Sequence, residues 1–339
     1  MINTTKTTIF DVVRTVHRLE QIHKYMVIIL YSIGICGACL NIITFLQKQL
    51  RINPCGVYFF STSLIDFGIM NVYLLIEIIE AFNKPLSNTI QNTRFWCKTG
   101  KFLKFIFPCL SSTYLTLASF DRFCISSSNP KFRQWTNLKI SRLVVSSVFI
   151  IWTLVGLHIP IFYDLIYSSS FKIPSCQVMT SLARAILIID DFVFSIFNGI
   201  VIPFILTIFG LLIYYNIKQS RSRVHFQPMT ATTISTTFLG HRTRTIHHRR
   251  SSHMLFMLLV QVFSTVILNI PFIIIYLLTY TDNLPKDLSK IRVFYIFKSI
   301  GLWFYYMNYC KTFYINTLTS RLFRESLCQQ FRQFFSLHY

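Results

Sequence analysis

In the stretch ASFDRFCIS, residues 118–126, an acid and an arginine, Asp121 and Arg122, stand together at the end of a long run of apolar and small residues. An ionised side chain beside lipid is costly and is retained where it has a task. The neighbouring acid gives the guanidinium a partner, so its charge is not left bare. Asp66, in SLIDF, is a carboxylate near the middle of another apolar run and needs a partner or a proton. Lys104, Lys298 and Lys311 interrupt two further apolar runs. A lysine in such a setting seeks an anion. Catalytic chemistry finds little to use. There is no His/Glu zinc pattern and no phosphate-binding glycine loop, and His247-His248 lie in a basic polar stretch with no cysteine nearby. An enzyme is not expected.

The elements that must position these charges are hydrophobic. Of 339 residues, 53% are hydrophobic, 13% are charged and 34 are Phe, and the mean hydropathy is +0.51. A water-soluble chain of this length would carry many more charges, so lipid is the solvent for much of the surface. A helix needs about 20 mostly apolar residues to cross ~30 Å of hydrocarbon. Seven runs qualify: 25–46, 57–79, 102–125, 143–163, 185–215, 254–280 and 293–318. They are continuous rather than alternating, which predicts helices and not barrel strands. Residues 1–24 are polar and lack the apolar centre of a signal peptide, so the first span is expected to act as its own targeting signal.

The net charge of +21 could suggest nucleic acid, but its placement argues against that. The loops 47–56, 127–142 and 216–253 hold 2, 4 and 7 Lys/Arg and no Asp or Glu, while the alternate loops mix both signs. Positive loops mark the cytoplasmic side. The N-terminus is therefore expected outside and the C-terminus inside, although Lys6, Arg14, Arg18 and Lys24 oppose this locally. Basic residues such as Arg133, Lys139, Lys218 and Arg221 would meet anionic inner-leaflet lipid, at about 1 kcal/mol each. Asn3-Thr4-Thr5 is a glycosylation sequon consistent with an outside tail. Of nine cysteines, only Cys97 and Cys176 fall in outside segments, where a disulfide between them would tie the top of the third span to the loop after the fourth.

No internal repeat is visible, which counts against many transporters, and Asp66 alone does not line a channel path. Residues 217–253 form the one long loop, rich in Thr, Ser, Arg and His, with Ser251-Ser252 beside Arg249-Arg250 resembling kinase sites. The tail SRLFRESLCQQFRQFF interleaves apolar and basic residues as an amphipathic helix on the inner leaflet would, and Cys328 on it is a candidate for palmitoylation.

Seven spans, an outside N-terminus and Asp121-Arg122-Phe123 closing the third span together resemble the rhodopsin-like (class A) G-protein-coupled receptors, whose third helix ends in Asp-Arg-Tyr. Other landmarks follow in order. Asn41 lies in the first span, Asp66 in the second, Trp152 in the fourth, Pro203 in the fifth and Pro271 in the sixth; Cys97 follows Trp96 and precedes Arg122 by 25 residues, and Cys176 lies in the loop where the family's disulfide partner is found. The resemblance covers about residues 25–330.

It implies an all-α integral membrane fold, a seven-transmembrane helix bundle with a short amphipathic eighth helix. Residues 1–24 would be an extracellular tail, 25–318 the receptor domain, 217–253 its basic third intracellular loop and 319–339 a cytoplasmic amphipathic tail. It implies a plasma-membrane receptor that binds an extracellular ligand and activates heterotrimeric G proteins. Asp121, Arg122 and Phe123 would form the switch, with Asp121 holding Arg122 in reserve. Asp66, Ser111 and Asn308 would hold an allosteric sodium ion in a polar core that includes Asn41. Pro203 and Pro271 would act as hinges.

The chain departs from that pattern inside the bundle. The family's Cys-Trp-x-Pro is Leu268-Asn269-Ile270-Pro271 here, so Asn269 replaces the tryptophan. The family's Asn-Pro-x-x-Tyr matches Thr312-Phe313-Tyr314-Ile315-Asn316, without its proline and with the tyrosine displaced to Tyr314. Leu211 stands for the tyrosine of the fifth helix, and Ser251 stands where some relatives place an acid against the arginine. With no acid there, raised basal signalling is expected.

On the ligand side, receptors for amines carry an aspartate eighteen residues before the arginine of the third span, and here that position is Lys104. A cationic amine would be repelled. The retinal lysine's place holds Phe304 or Tyr306, which argues against a light receptor. Lys104 lies about two helical turns, ~10 Å, below Cys97. Lys104, Glu77, Glu80, Asn269, Trp303 and Tyr306 are the expected pocket, with Asp164, Asp190, Asp191, Asp282 and Asp287 at the outside rim. Both signs of charge with many aromatics suit a peptide. The alternatives are a small acidic ligand on Lys104, a structural Lys104–Glu77 pair, and a non-signalling decoy scaffold.

Overall fold

A backbone group left unpaired in hydrocarbon finds no water, so a chain with these runs crosses as helix. The computed structural model describes residues 2–127, 129–166, 174–179, 196–225, 256–275 and 288–336, with residues 185, 186, 190, 194 and 278 between them. Six of its helices are long and apolar enough to cross a membrane. They are α1 (Ile2–Phe45), α2 (Pro54–Phe82), α3 (Arg94–Ser126), α4 (Leu138–Phe162), α5 (Ile202–His225, entered through a π-turn at Phe197–Val201) and α6 (Phe256–Ile275). The seventh, α7, runs Leu288–Cys310, bends at Lys311 and continues as Thr312–Thr319. Lys290, Arg292 and Lys298 dilute its apolarity, yet it packs along α1 and closes the bundle. The amphipathic α8, Arg321–Ser336, follows.

The outward faces are apolar: Leu143 and Phe263 are each 68% exposed, and Phe204 65%. Such a surface is stable only against lipid. The inward faces approach closely where side chains are small. A Cβ added at Gly34 of α1 would come within 2.5 Å of Met70 Sδ on α2 and 2.9 Å of Cys310 Sγ on α7.

Four features were not in the sequence expectation. The N-terminal residues expected as a polar tail continue α1 as helix from Ile2. The segment between α4 and α5 adds a small ribbon to the otherwise helical fold: β1 (Tyr163–Ile166) pairs antiparallel with β2 (Ser175–Val178). Pro108 sits inside α3, where it removes a backbone hydrogen bond from the middle of the span. Two turns of π-helix, Met70–Leu74 in α2 and Phe197–Val201 just before Pro203, widen their helices. For α5 the cause is local, since the Pro203 ring cannot donate back to the preceding turn.

The expected disulfide joins Cys97 at the top of α3 to Cys176 on β2. The ribbon is fixed further by Asp164 on β1. Arg94 Nε donates to its two carboxylate oxygens at 2.9 and 3.0 Å, Arg94 Nη2 donates at 2.5 Å, and Lys98 Nζ lies 3.6 Å away. The Arg94 guanidinium and the Leu165 N–H hold the Asp164 carboxyl below the usual carboxylate range. At the other end, Phe323 of α8 packs on Phe45 of α1 and Phe313 of α7, with ring centroids 5.4 and 5.9 Å apart. Gln47 Nε2 donates to the Ser326 carbonyl at 2.6 Å. Cys328 is exposed on α8. The Asn3 side chain, the loop 226–255 with its Ser251 and Ser252, and Asp191, Asp282 and Asp287 lie outside the described residues.

Candidate functional site

Among the described residues, the polar side chains inside the bundle gather in three layers, named outer to inner from the end that carries the Cys97–Cys176 disulfide to the end that carries α8. In the outer layer α1, α2, α3 and α7 converge. Trp303 Nε1 donates to His23 Nδ1 at 3.1 Å, and His23 Nε2 meets Glu77 Oε2 at 3.2 Å. Tyr306 is buried, 2% exposed, with its ring 6.4 Å from that of Tyr73. Lys104 is partly buried, with its ammonium 5.4 Å from the centre of the Tyr73 ring, a cation–π contact. Tyr73 in turn donates its hydroxyl proton to the Lys104 carbonyl. The Lys104–Glu77 pair weighed as an alternative is not formed directly: Glu77 takes His23 instead, and the lysine feels Glu77 and Glu80 only through space. Glu80 is exposed at the rim and accepts from Gln91 Nε2 at 3.1 Å.

Both described rim acids are committed to internal bases. Asp164 takes Arg94 and Lys98, and Asp190 takes His158 together with the Tyr163 hydroxyl at 3.2 Å.

The middle layer holds Asp66, 3% exposed. Ser111 Oγ donates to its Oδ1 at 2.7 Å and Thr312 Oγ1 to its Oδ2 at 3.3 Å. Ser111 is therefore hydrogen-bonded to Asp66, and Asn308 lines the same small cavity, whereas Asn41 and Asn308 make their hydrogen bonds with other partners. Asn41 Oδ1 accepts from Asn316 Nδ2 at 3.0 Å, and Asn316 Oδ1 accepts from Gln261 Nε2 at 2.5 Å. Asn308 is held by its own helix neighbour: both its carbonyl and its Oδ1 accept from Lys311 Nζ. Its amide donates to Asn269 Oδ1 at 3.3 Å, so Asn269 joins the buried network; it also lines a small cavity with Ser112, Asn198 and Tyr305. Tyr314 does not turn inward. It is 37% exposed, and its hydroxyl donates to the Ile33 carbonyl on α1 at 3.1 Å.

Beside this layer, Ser112 Oγ donates to Asn198 Oδ1 at 2.9 Å, and Trp152 Nε1 donates to Thr113 Oγ1 at 3.1 Å while its ring packs on Phe197. The π-turn before Pro203 carries Phe197 and Asn198 into these contacts, linking α3, α4 and α5.

The inner layer is Arg122, only 1% exposed. Its Nη2 lies 3.1 Å from Asp121 Oδ2 and donates to Asn53 Oδ1 at 2.6 Å. Asn53 also caps α2 by accepting the Cys55 N–H at 3.2 Å. One side-chain oxygen thus starts a helix and holds the guanidinium. Phe123 packs on Phe132 and on Phe209 of α5.

Sequence reasoning missed His23, Tyr73 and Asn53, and noted Lys311 only as a blemish in a span. Asn53-Pro54, a cap residue before a helix-starting proline, was a legible signal for the start of α2. Nothing local pointed from it to Arg122. His23 was hidden because the residues before 25 read as a tail.

The arrangement can hold an ionic switch at one end and a mixed-charge aromatic cleft at the other, joined by a buried polar network. A comparison with curated proteins finds no match. The family model of the seven-transmembrane receptors of the rhodopsin family, a receptor family and not an enzyme family, matches residues 37–311. That match takes in residues of all three layers, and with the apolar helix bundle it makes the chain a multi-pass membrane protein belonging to the rhodopsin family of seven-transmembrane receptors.

Proposed function

We propose that this receptor sits in the plasma membrane with its N-terminus outside, binds an extracellular peptide and activates heterotrimeric G proteins through Arg122. The observation that carries the reading is Arg122 itself. A guanidinium with 1% exposure at the end of α3 lies 3.1 Å from Asp121 Oδ2 and donates to Asn53 Oδ1. Such a charge can be exchanged for a docking partner's acceptors when the helices move apart.

The ligand class is supported by Lys104. Its ammonium stacks on Tyr73 without a carboxylate in contact among the described residues, while Asp164 and Asp190 already hold internal bases. The cleft thus offers a cation at depth and an aromatic wall of Tyr73, Trp303 and Tyr306, which fits a peptide's terminal carboxylate and an apolar anchor.

G-protein activation in cells tests this, comparing wild type, Arg122→Ala and empty vector against a peptide library with free and amidated C-termini. The expected outcome is a peptide-evoked signal that Arg122→Ala abolishes. Amidation of the active peptide is expected to cost the 10- to 100-fold typical of about 1.5–3 kcal/mol for a hydrogen bond to a charged group. Lys104→Glu should abolish the response to the free-acid peptide; an unchanged dose-response would remove Lys104 from the site. Silence with every G-protein class, at verified surface expression, would favour a decoy receptor, a reading prompted by the altered residues Asn269 and Phe313.

A further inference from the structure

Lys311 occupies the bend between the two parts of α7 and lines a small cavity together with Thr62, Asp66, Ser111, Thr265 and Asn308. An ammonium has three protons to give. Here all three find acceptors: Thr265 Oγ1 at 3.0 Å, the Asn308 carbonyl at 2.8 Å and Asn308 Oδ1. Thr312, the next residue, donates to the carboxylate of Asp66. The Lys311 amine and the Asp66 carboxyl therefore share one enclosure. Lys311 and Thr312 line the same cavity as Asp66.

This donor set does not suit the sodium ion that the family resemblance implies. A hard cation needs free oxygens. Asn308 Oδ1, one of the oxygens expected to bind the ion, already holds a cation. The two oxygens of Asp66 each accept one hydroxyl hydrogen bond and keep one further acceptor site apiece, so it is the ammonium at Asn308 that fills the ion's place. A sodium ion would also stand beside the ammonium in a poorly screened site, where like charges repel strongly.

We propose that the Lys311 ammonium is the resident cation of the polar core, a covalently attached counter-ion to Asp66 that replaces an exchangeable metal ion. The consequence is a receptor whose core is neutralised whatever the sodium concentration outside, with the neutralising charge built into α7 and carried along when that helix moves. The inference depends on the receptor fold and not on the ligand or the transducer.

Thermal unfolding of the purified full chain in lipid nanodiscs tests it, with sodium chloride compared with choline chloride at equal ionic strength. Wild type is expected to melt at the same temperature in both salts. Lys311→Ala is expected to melt lower in choline and to regain stability as sodium is added, in a saturable way. The double variant Asp66→Asn/Lys311→Ala should lose that sodium response and melt higher than Lys311→Ala in choline, because no uncompensated charge remains. A saturable sodium-dependent rise in the wild-type melting temperature would overturn the proposal. So would a Lys311→Ala chain that melts like wild type in both salts. Should Lys311→Ala not be recovered folded, the wild-type salt comparison and recovery of the folded double variant still decide it.

Discussion

At the scale of single residues, the charged groups of this chain are used in ways their types predict and their partners do not. Arg122 is a case in point. The position that restrains it in some relatives is Ser251, and from that alone high basal activity is expected. The fold supplies Asn53 from the start of α2, with a 2.6 Å hydrogen bond to the guanidinium. A hydrogen bond to a charged group contributes about 1.5–3 kcal/mol, and each 1.4 kcal/mol is tenfold in an equilibrium. Asn53→Ala should therefore raise basal G-protein activation by about tenfold or to saturation, whereas Asn53→Asp, which keeps the helix cap and adds charge to the acceptor, should lower it. Equal basal output from wild type and Asn53→Ala at matched surface level would show that Asn53 does not restrain the arginine. The pair Asp121–Arg122 was legible because its members are adjacent. Asn53 was not, because 69 residues separate it from Arg122 and only the packing of α2 on α3 closes that gap.

At the scale of elements, helices are set by apolar length and their ends by caps. Thr93, Asn129 and Asn137 each accept a backbone N–H at the start of a helix, and Pro54 and Pro130 open the helices they begin. These signals lie in the sequence. The ribbon β1–β2 carries no strong local signal, since four-residue strands are too short to show a pattern. It exists because the disulfide and the Arg94–Asp164 pair pin it against α3.

Asp164 gives the ribbon a pH dependence with a definite sign. Its carboxyl titrates below the usual range, so the pairing stabilises the folded ribbon at neutral pH and the contribution fades as the pH falls through that lowered value. Asp164→Asn should thus lower the melting temperature at neutral pH, and the difference from wild type should vanish in acid. A difference that persists unchanged in acid would assign the effect to packing instead. The amphipathic α8 was legible from its alternation of Arg and Phe. Its seat was not: Phe323, 1% exposed between Phe45 and Phe313, anchors it to α1 and α7. Phe323→Ala should cost about 3–5 kcal/mol, as for other buried aromatic truncations. A loss within ~0.5 kcal/mol by thermal unfolding would mean that α8 is held by the membrane rather than by the bundle.

At the scale of the whole molecule, the receptor is a stack of three polar layers inside an apolar shell, with the mixed-charge cleft, the Asp66–Lys311 core and the Arg122 switch spaced along the same helices. The sequence by itself determined the lipid environment, the number of spans, the disulfide, the Asp121–Arg122 pair and the family, because these depend on composition, on run length and on residues at fixed short spacing. The departures from the family pattern at Asn269 and Phe313 were equally visible, since each is a substitution at a countable position. Only the tertiary structure decided what those substitutions are for. Asn269 joins Asn308, and Lys311 at the bend before Phe313 turns its ammonium into the layer that contains Asp66. Likewise His23 became part of the outer cleft only when α1 proved to be helical from Ile2 and to run beside Glu77 and Trp303. The physical reason is common to these cases. A buried polar group must find a partner wherever one is within reach, and in a helix bundle that partner usually comes from another helix, at a separation along the chain that no local pattern encodes.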